Sequence, residues 1–262
     1  MPTENGEFAL PNRGNVGSTS RRLFPLRLAS FPPSFEDEYT KLSDTPIGKG
    51  AYGEVWKAFD KERNQEVAIK LFLQANGSVA TWSEAEASGP SAIARIAGSE
   101  AECKRAQDIQ EYSSDDPIGA SRIAKCLEDG IALGKIDKTR PLYLVLEFAG
   151  DMTLESWVFE NMASVDTFDN AEQALETTLV DLRKFIRQML EGLRYLTSDE
   201  HEIKFVHHDL KLANMVVPNG SSPRNLKIVD LGDSLTSAEP ESKEQGTTYL
   251  RPPEVLASLE VE

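Results

Sequence analysis

Apolar and polar positions change rhythm several times along this chain. Between residues 39 and 70, glycines punctuate two short β-prone runs, 54–58 and 66–73, separated by a turn-like stretch at 60–64. That pattern predicts a strand–turn–strand system. Residues 74–99 are rich in Ala, Ser and Gly and read as a loop or insertion, whereas 100–112 have helical composition. Residues 122–127 and 142–148 read as strands, the second a near-continuous apolar run. Leu179, Leu182, Phe185, Ile186, Met189, Leu190, Leu193 and Leu196 then recur at about 3.6-residue intervals, which predicts an amphipathic helix over 178–196. Short apolar runs at 204–206, 215–217 and 226–229 read as strands. Strands first and helices later make an α+β chain with two lobes.

Residues 1 to about 34 show no periodicity and are rich in Gly, Asn, Pro, Ser and Arg, the composition of a disordered tail. Arg21, Arg22 and Arg27 there carry the charge of an organelle-targeting segment, against which Glu4 and Glu7 count. The rest is long enough for one large domain or two lobes, and its 40 % apolar content can fill a sizeable core. A formal net charge of −15 argues against a nucleic-acid or anionic-membrane binder, since both need basic surface. It leaves room for a nucleotide site, where a few cations and backbone N–H groups suffice. The two cysteines, Cys103 and Cys126, form no CxxC pair and are too sparse for a disulfide framework, so a reducing, intracellular and cytoplasmic setting is expected. No apolar run approaches the ~20 residues of a membrane span.

Chemistry concentrates in a few stretches. Ile47-Gly48-Lys49-Gly50-Ala51-Tyr52-Gly53-Glu54-Val55 carries three glycines in GxGxxG spacing, then a valine. Glycines let a backbone approach phosphates closely. In dinucleotide folds the same spacing opens a helix. Here the following residues are β-like, so the loop joins two strands, which suits a cover over nucleotide phosphates. Val67-Ala68-Ile69-Lys70 ends an apolar run in a lysine. Alone that is a strand end meeting water; beside the glycine loop, Lys70 becomes a candidate to hold the α- and β-phosphates. In Phe205-Val206-His207-His208-Asp209-Leu210-Lys211-Leu212-Ala213-Asn214, one loop combines a carboxylate, a lysine and an amide, and Asp230-Leu231-Gly232 follows a short strand. These groups can accept a proton, neutralise phosphate charge and supply hard oxygen ligands to Mg²⁺.

On these motifs the chain resembles the eukaryotic protein kinase superfamily, in its serine/threonine branch, from about residue 38 to residue 262. The resemblance implies a β-rich N-lobe over about 35–147 and a helical, partial C-lobe over about 148–262. It makes Gly48, Lys49, Gly50, Ala51, Tyr52 and Gly53 the phosphate-covering loop, with Val55 and Ala68 beside the base. Lys70 is the strand lysine. Leu146-Glu147-Phe148-Ala149 is the inter-lobe hinge, where Glu147 and Ala149 would meet adenine. Asp209 is the catalytic-loop aspartate, with Lys211 beside it, and Asn214 and Asp230 are the metal ligands. ATP and Mg²⁺, or Mn²⁺ in its place, are the implied cofactors, and proteins bearing Ser or Thr are the implied substrates. Lys211 and the Gly246-Thr247 pair are typical of serine/threonine rather than tyrosine kinases. A pseudokinase, or a small-molecule kinase on the same fold, are the competing readings.

The sequence departs from the family pattern in four places. The glutamate that should pair with Lys70 is Glu102 by distance to the following strand, with Glu100 next; Glu84 and Glu86 better fit the usual distance from Lys70. His208 replaces the arginine that anchors a phosphorylated activation loop; a histidine with a reference pKa of about 6.5 makes no guanidinium fork, which implies independence from such phosphorylation. Leu231 replaces a phenylalanine. Eight residues follow Glu254, where a complete domain would continue through several helices. An incomplete domain would leave an apolar surface under 180–235 open to a missing C-terminal portion or a partner.

Overall fold

The computed structural model describes residues 31–50, 53–74, 76–165, 171–201, 204–218, 225–232 and 234–236. Its N-terminal half is a six-stranded antiparallel sheet. Strands β1 (Tyr39–Lys41), β3 (Gly53–Asp60), β4 (Gln65–Phe72), β6 (Tyr143–Glu147) and β5 (Cys126–Asp129) lie in the spatial order β1-β3-β4-β6-β5, and β2 (Gly48–Gly50) pairs with β3. In β3, Glu54, Trp56, Ala58 and Asp60 are buried while the alternate residues are partly open, the period-two pattern of a strand with one face on a core. The hairpin to β4 turns through Asn64, at φ 51°, a left-handed conformation that asparagine tolerates. Its register sets Val55 opposite Lys70 and Lys57 opposite Ala68, and β6 continues the row with Leu144 and Leu146. Residues directly opposite share a face, so Val55, Ala68 and Lys70 look out from the same side of the sheet.

The other side carries a core of Trp56, Val67, Ile69, Leu71, Tyr143 and Val145. Fully burying a side chain such as Ile69 or Leu71 contributes about 1.5–3 kcal/mol relative to leaving it in water. Phe31 and Phe35 join this cluster and pack edge-on against each other, with Phe31 also against Trp56 and Phe35 against Tyr143. Phe31, read from composition as part of the tail, is therefore packed onto the sheet.

Three other expectations change. The Ala/Ser/Gly-rich stretch at 74–99 is largely helical, forming α1 (Trp82–Ser88) and the first half of α2 (Pro90–Glu111). Alanine is the best helix former, Thr81 and Glu84 close a capping box at the start of α1, and Pro90 sits at the first turn of α2, where it lacks no needed N–H. Second, the strand expected from residue 122 begins only at Cys126, because the backbone of Arg122 and Ala124 bonds to Ile228 in another part of the fold. Third, Cys103 of α2 and Cys126 of β5 are joined in a disulfide, with Cα atoms 5.2 Å apart. The pair was hidden by 23 residues of separation, and the bond removes the cysteine argument for a reducing compartment.

Helices α3 (Pro117–Ala120) and α4 (Gly130–Ile136) flank β5, and Asp129 caps α4 by accepting from Ile131 and Ala132. Beyond β6 come β7 (Met152–Thr153), α5 (Leu154–Val165) and α6 (Ala171–Leu196), then β8 (Phe205–Val206), β9 (Met215–Val217), β10 (Lys227–Ile228) and β11 (Leu235–Thr236). These short strands form two small sheets, β10-β9-β7 and β11-β8. The amphipathic helix expected at 178–196 begins earlier, at Ala171, and its apolar face divides: Phe185 and Leu196 are buried, while Leu179, Ile186 and Leu190 are exposed. Tyr195 of α6 donates to the carbonyl of Ile109, fastening the end of α2 to the second half of the chain. Among the described residues, no helix is long and apolar enough to cross a membrane.

Candidate active site

Functional side chains gather in two clusters, which Arg105 of α2 links through the carbonyl of Gly232. The first is built by β4 and α2. Lys70 Nζ lies 2.5 Å from Glu102 Oε2. Of the four glutamates that the sequence offered, the others are engaged elsewhere: Glu100 with Lys135, Glu86 with Lys138, and Glu84 in the cap of α1. Glu102 is buried, at 4 % exposure. Burial pushes its carboxyl above the usual range; the Lys70 ammonium opposes that shift and the Asp230 carboxylate adds to it. One turn on, Arg105 donates from Nη1 to the carbonyl of Gly232 at 2.9 Å. Helix α2 thus touches both the strand lysine and the Asp230-Leu231-Gly232 segment. Sequence reasoning missed Arg105; its i+3 spacing from Glu102 on a helix was the available signal.

The second cluster is the loop after β8. Lys211 Nζ is 2.6 Å from Asp209 Oδ2, and Asn214 Nδ2 donates to the same oxygen at 3.0 Å and to the Asp209 carbonyl at 2.9 Å. These bonds fix the orientation of a carboxylate that is only 8 % exposed. Behind it, His207 is buried and burial lowers its pKa, so the ring is neutral at pH 7. The Asp209 N–H donates to His207 Nδ1 at 3.3 Å, and His207 Nε2 lies 3.1 Å from the Val229 carbonyl. Together these assign the proton to Nε2. The Val229 N–H donates to the Asn214 carbonyl, so the segment carrying Asp230 is tied to the loop carrying Asp209. His208 and Asp230 hold positive φ, 60° and 64°, sparsely populated for side-chain-bearing residues and concentrated at functional sites.

Gly53 explains part of the glycine spacing. A Cβ there would lie 1.9 Å from the Leu71 carbonyl oxygen, so the strands can approach only over a glycine. Gly48 and Lys49 lie opposite Val55 and Glu54 in the β2–β3 pairing. At the end of β6, the Glu147 N–H donates to the Lys125 carbonyl and the Glu147 carboxylate pairs with Lys227; Lys57 lies over the Phe148 ring. Ala51, Tyr52 and the Gly246-Thr247 pair lie outside the described residues. A cavity of about 420 Å³ between the end of β4 and helices α1 and α2 is lined by neither cluster.

Asn214 and Asp230 fit a hard divalent ion. The amide orientation that donates Nδ2 to Asp209 presents Oδ1 as a neutral oxygen ligand, and Asp230 is an exposed carboxylate.

A strand lysine held by an α2 glutamate, and a separate loop that gathers Asp, Lys and Asn, form the residue set expected of a protein kinase domain. A family model described as the protein kinase domain matches residues 42–262, and the chain belongs to that family. Similar curated proteins include mitogen-activated protein kinase 13 of Arabidopsis thaliana, 28 % identical over 214 residues, covering 80 % of this chain and 46 % of that protein. Cyclin-dependent kinase 12 of Caenorhabditis elegans is 28 % identical over 223 residues, covering 83 % of this chain and 25 % of the relative. Serine/threonine-protein kinase tousled-like 2 of Xenopus tropicalis is 26 % identical over 234 residues, 85 % of this chain and 28 % of the relative. The chain spans from a quarter to just under half the length of these relatives.

Proposed function

We propose that the chain is an ATP-dependent serine/threonine protein kinase, moving the γ-phosphoryl group of ATP to Ser or Thr hydroxyls of protein substrates. The observation that carries this reading is the 2.5 Å contact of Lys70 with the buried Glu102. It fixes a cation on the sheet face that also carries Val55, where nucleotide phosphates would lie. Gly48, Lys49, Gly50, Ala51, Tyr52 and Gly53 cover the phosphates, Val55 and Ala68 flank the base, and the backbone of Glu147 and Ala149 meets the adenine edge. The lobes divide at this hinge, near residue 147. Asp209, oriented by Lys211 and Asn214, aligns the acceptor hydroxyl and takes its proton as the new O–P bond forms and ADP departs. Lys211 offsets charge on the moving phosphoryl group. Asn214 and Asp230 hold Mg²⁺ or Mn²⁺, which supplies charge neutralisation at the phosphates.

His208, in place of an arginine fork, is the one observation that favours a nucleotide-binding module without transfer. Incubation with γ-labelled Mg-ATP and a mixed protein acceptor, followed by acid hydrolysis, separates the readings. Labelled phosphoserine and phosphothreonine are expected. Label confined to phosphotyrosine would contradict the substrate class, and bound nucleotide without any label would favour the module.

A further inference from the structure

Glu102 is an expensive residue to hold inward. Its carboxylate is buried beside Lys70 but also within reach of the Asp230 field, so burial and like charge both act against it. Helix α2 has no side-chain cap at its start, where Gly89 precedes Pro90. The residue directly after Glu102 is Cys103, bonded to Cys126. Cys126 belongs to β5, the edge strand next to β6, and lies opposite Leu146 there. The covalent tie therefore fixes α2 to the sheet one residue from the carboxylate that meets Lys70.

We propose that Cys103–Cys126 is a reversible dithiol–disulfide site whose oxidised form holds Glu102 against Lys70. The reagent class is a dithiol and its disulfide. Both cysteines lie in the core, Cys103 at 0 % and Cys126 at 8 % exposure, so a reductant reaches the bond when the β5 edge opens locally, and it attacks the less buried Cys126. A reductant thiolate forms a mixed disulfide with Cys126 as the S–S bond breaks and Cys103 leaves as a thiolate, which then takes a proton. The second reductant thiolate attacks the mixed disulfide, releasing Cys126 and leaving the reductant oxidised. Two electrons and two protons pass to the protein. The chain has two cysteines, so reoxidation within one chain restores a single product. Reduction frees α2 to withdraw Glu102 from Lys70. Only the consequence for nucleotide binding rests on the kinase reading.

The test is hydrogen exchange on the full chain, equilibrated in oxidised or reduced dithiothreitol, with alkylation and mass analysis to count thiols. On reduction, amides of residues 99–106 are expected to exchange roughly ten-fold faster or more, while β3 and β4 amides keep their rates. The Cys103→Ser/Cys126→Ser variant is expected to match reduced wild type in both buffers. Mg-ATP affinity, read by thermal shift, is expected to fall in parallel. Two free thiols in oxidising buffer, unchanged exchange at 99–106, or a uniform acceleration across the whole sheet would each overturn the proposal. A selective response of α2 in a protein that binds no Mg-ATP in either state would uphold the redox site and overturn the kinase reading.

Discussion

His207 has no assigned part in moving a phosphoryl group, yet its two ring nitrogens tie the backbone of Asp209 to that of Val229. One accepts from the Asp209 N–H and the other meets the Val229 carbonyl, in a buried setting. His207→Leu leaves both backbone groups without their ring partner. The Val229 carbonyl loses its donor while the Asp209 N–H keeps its bond to the carbonyl of residue 207 at 2.8 Å, so the expected cost is about 1–3 kcal/mol, measured as a lower urea midpoint with an unchanged slope. An unaltered midpoint would mean that the ring positions nothing. At this scale the sequence was most informative where chemistry is local. Asp209, Lys211 and Asn214 sit in one loop, and five positions of chain bring them together. Glu102 was harder, because four glutamates competed and the winner depends on where α2 starts and how it lies on the sheet. The bond between Cys103 and Cys126 was not legible, since it is made by packing between elements distant in sequence, and Arg105 offered only its i+3 spacing from Glu102.

Among elements, the stretch at 74–99 is the clearest lesson. Its small residues read as a loop, but alanine favours helix, and a capping box at Thr81 and Glu84 supplies the start signal. The serines and glycines masked that signal by lowering the average propensity. Thr81→Ala removes the side-chain acceptor for the Glu84 N–H. Loss of about 1 kcal/mol is expected by chemical denaturation, with no change in nucleotide affinity; unchanged stability would mean that α1 is held by packing alone. The β3–β4 hairpin was legible for the opposite reason. Its alternation and its turn agree, and the resulting register alone carries Val55, Ala68 and Lys70 to one face.

Over the whole molecule, acidity is the dominant property, with a formal net charge of −15. The back of the sheet uses part of that charge structurally. Asp60 is buried against Arg63, whose Nη1 lies 2.7 Å away, and Arg63 also reaches Glu128. Burial pushes the Asp60 carboxyl up, but the backbone and guanidinium bonds from Arg63 outweigh it and hold the group below the ordinary aspartate value. A depressed folded-state pKa stabilises above the unfolded value of 3.8 and is lost as pH falls through the folded one. The thermal midpoint is therefore expected to drop between the ordinary aspartate range and lower pH, and Asp60→Asn should flatten that limb; an identical acid limb in the variant would assign it to other groups. The two-lobed α+β architecture was readable from element order, and the kinase family from motif order, because both survive errors at element boundaries. The central claim, that the cleft transfers phosphate, is tested most directly by comparing wild type with Asp209→Asn for Mg-ATP binding and for γ-phosphate transfer to protein. Retained binding with transfer reduced by roughly a hundred-fold or more is the expected result for loss of a positioned base; transfer that is equal in the two proteins would contradict the assignment of Asp209, and with it the account of the site.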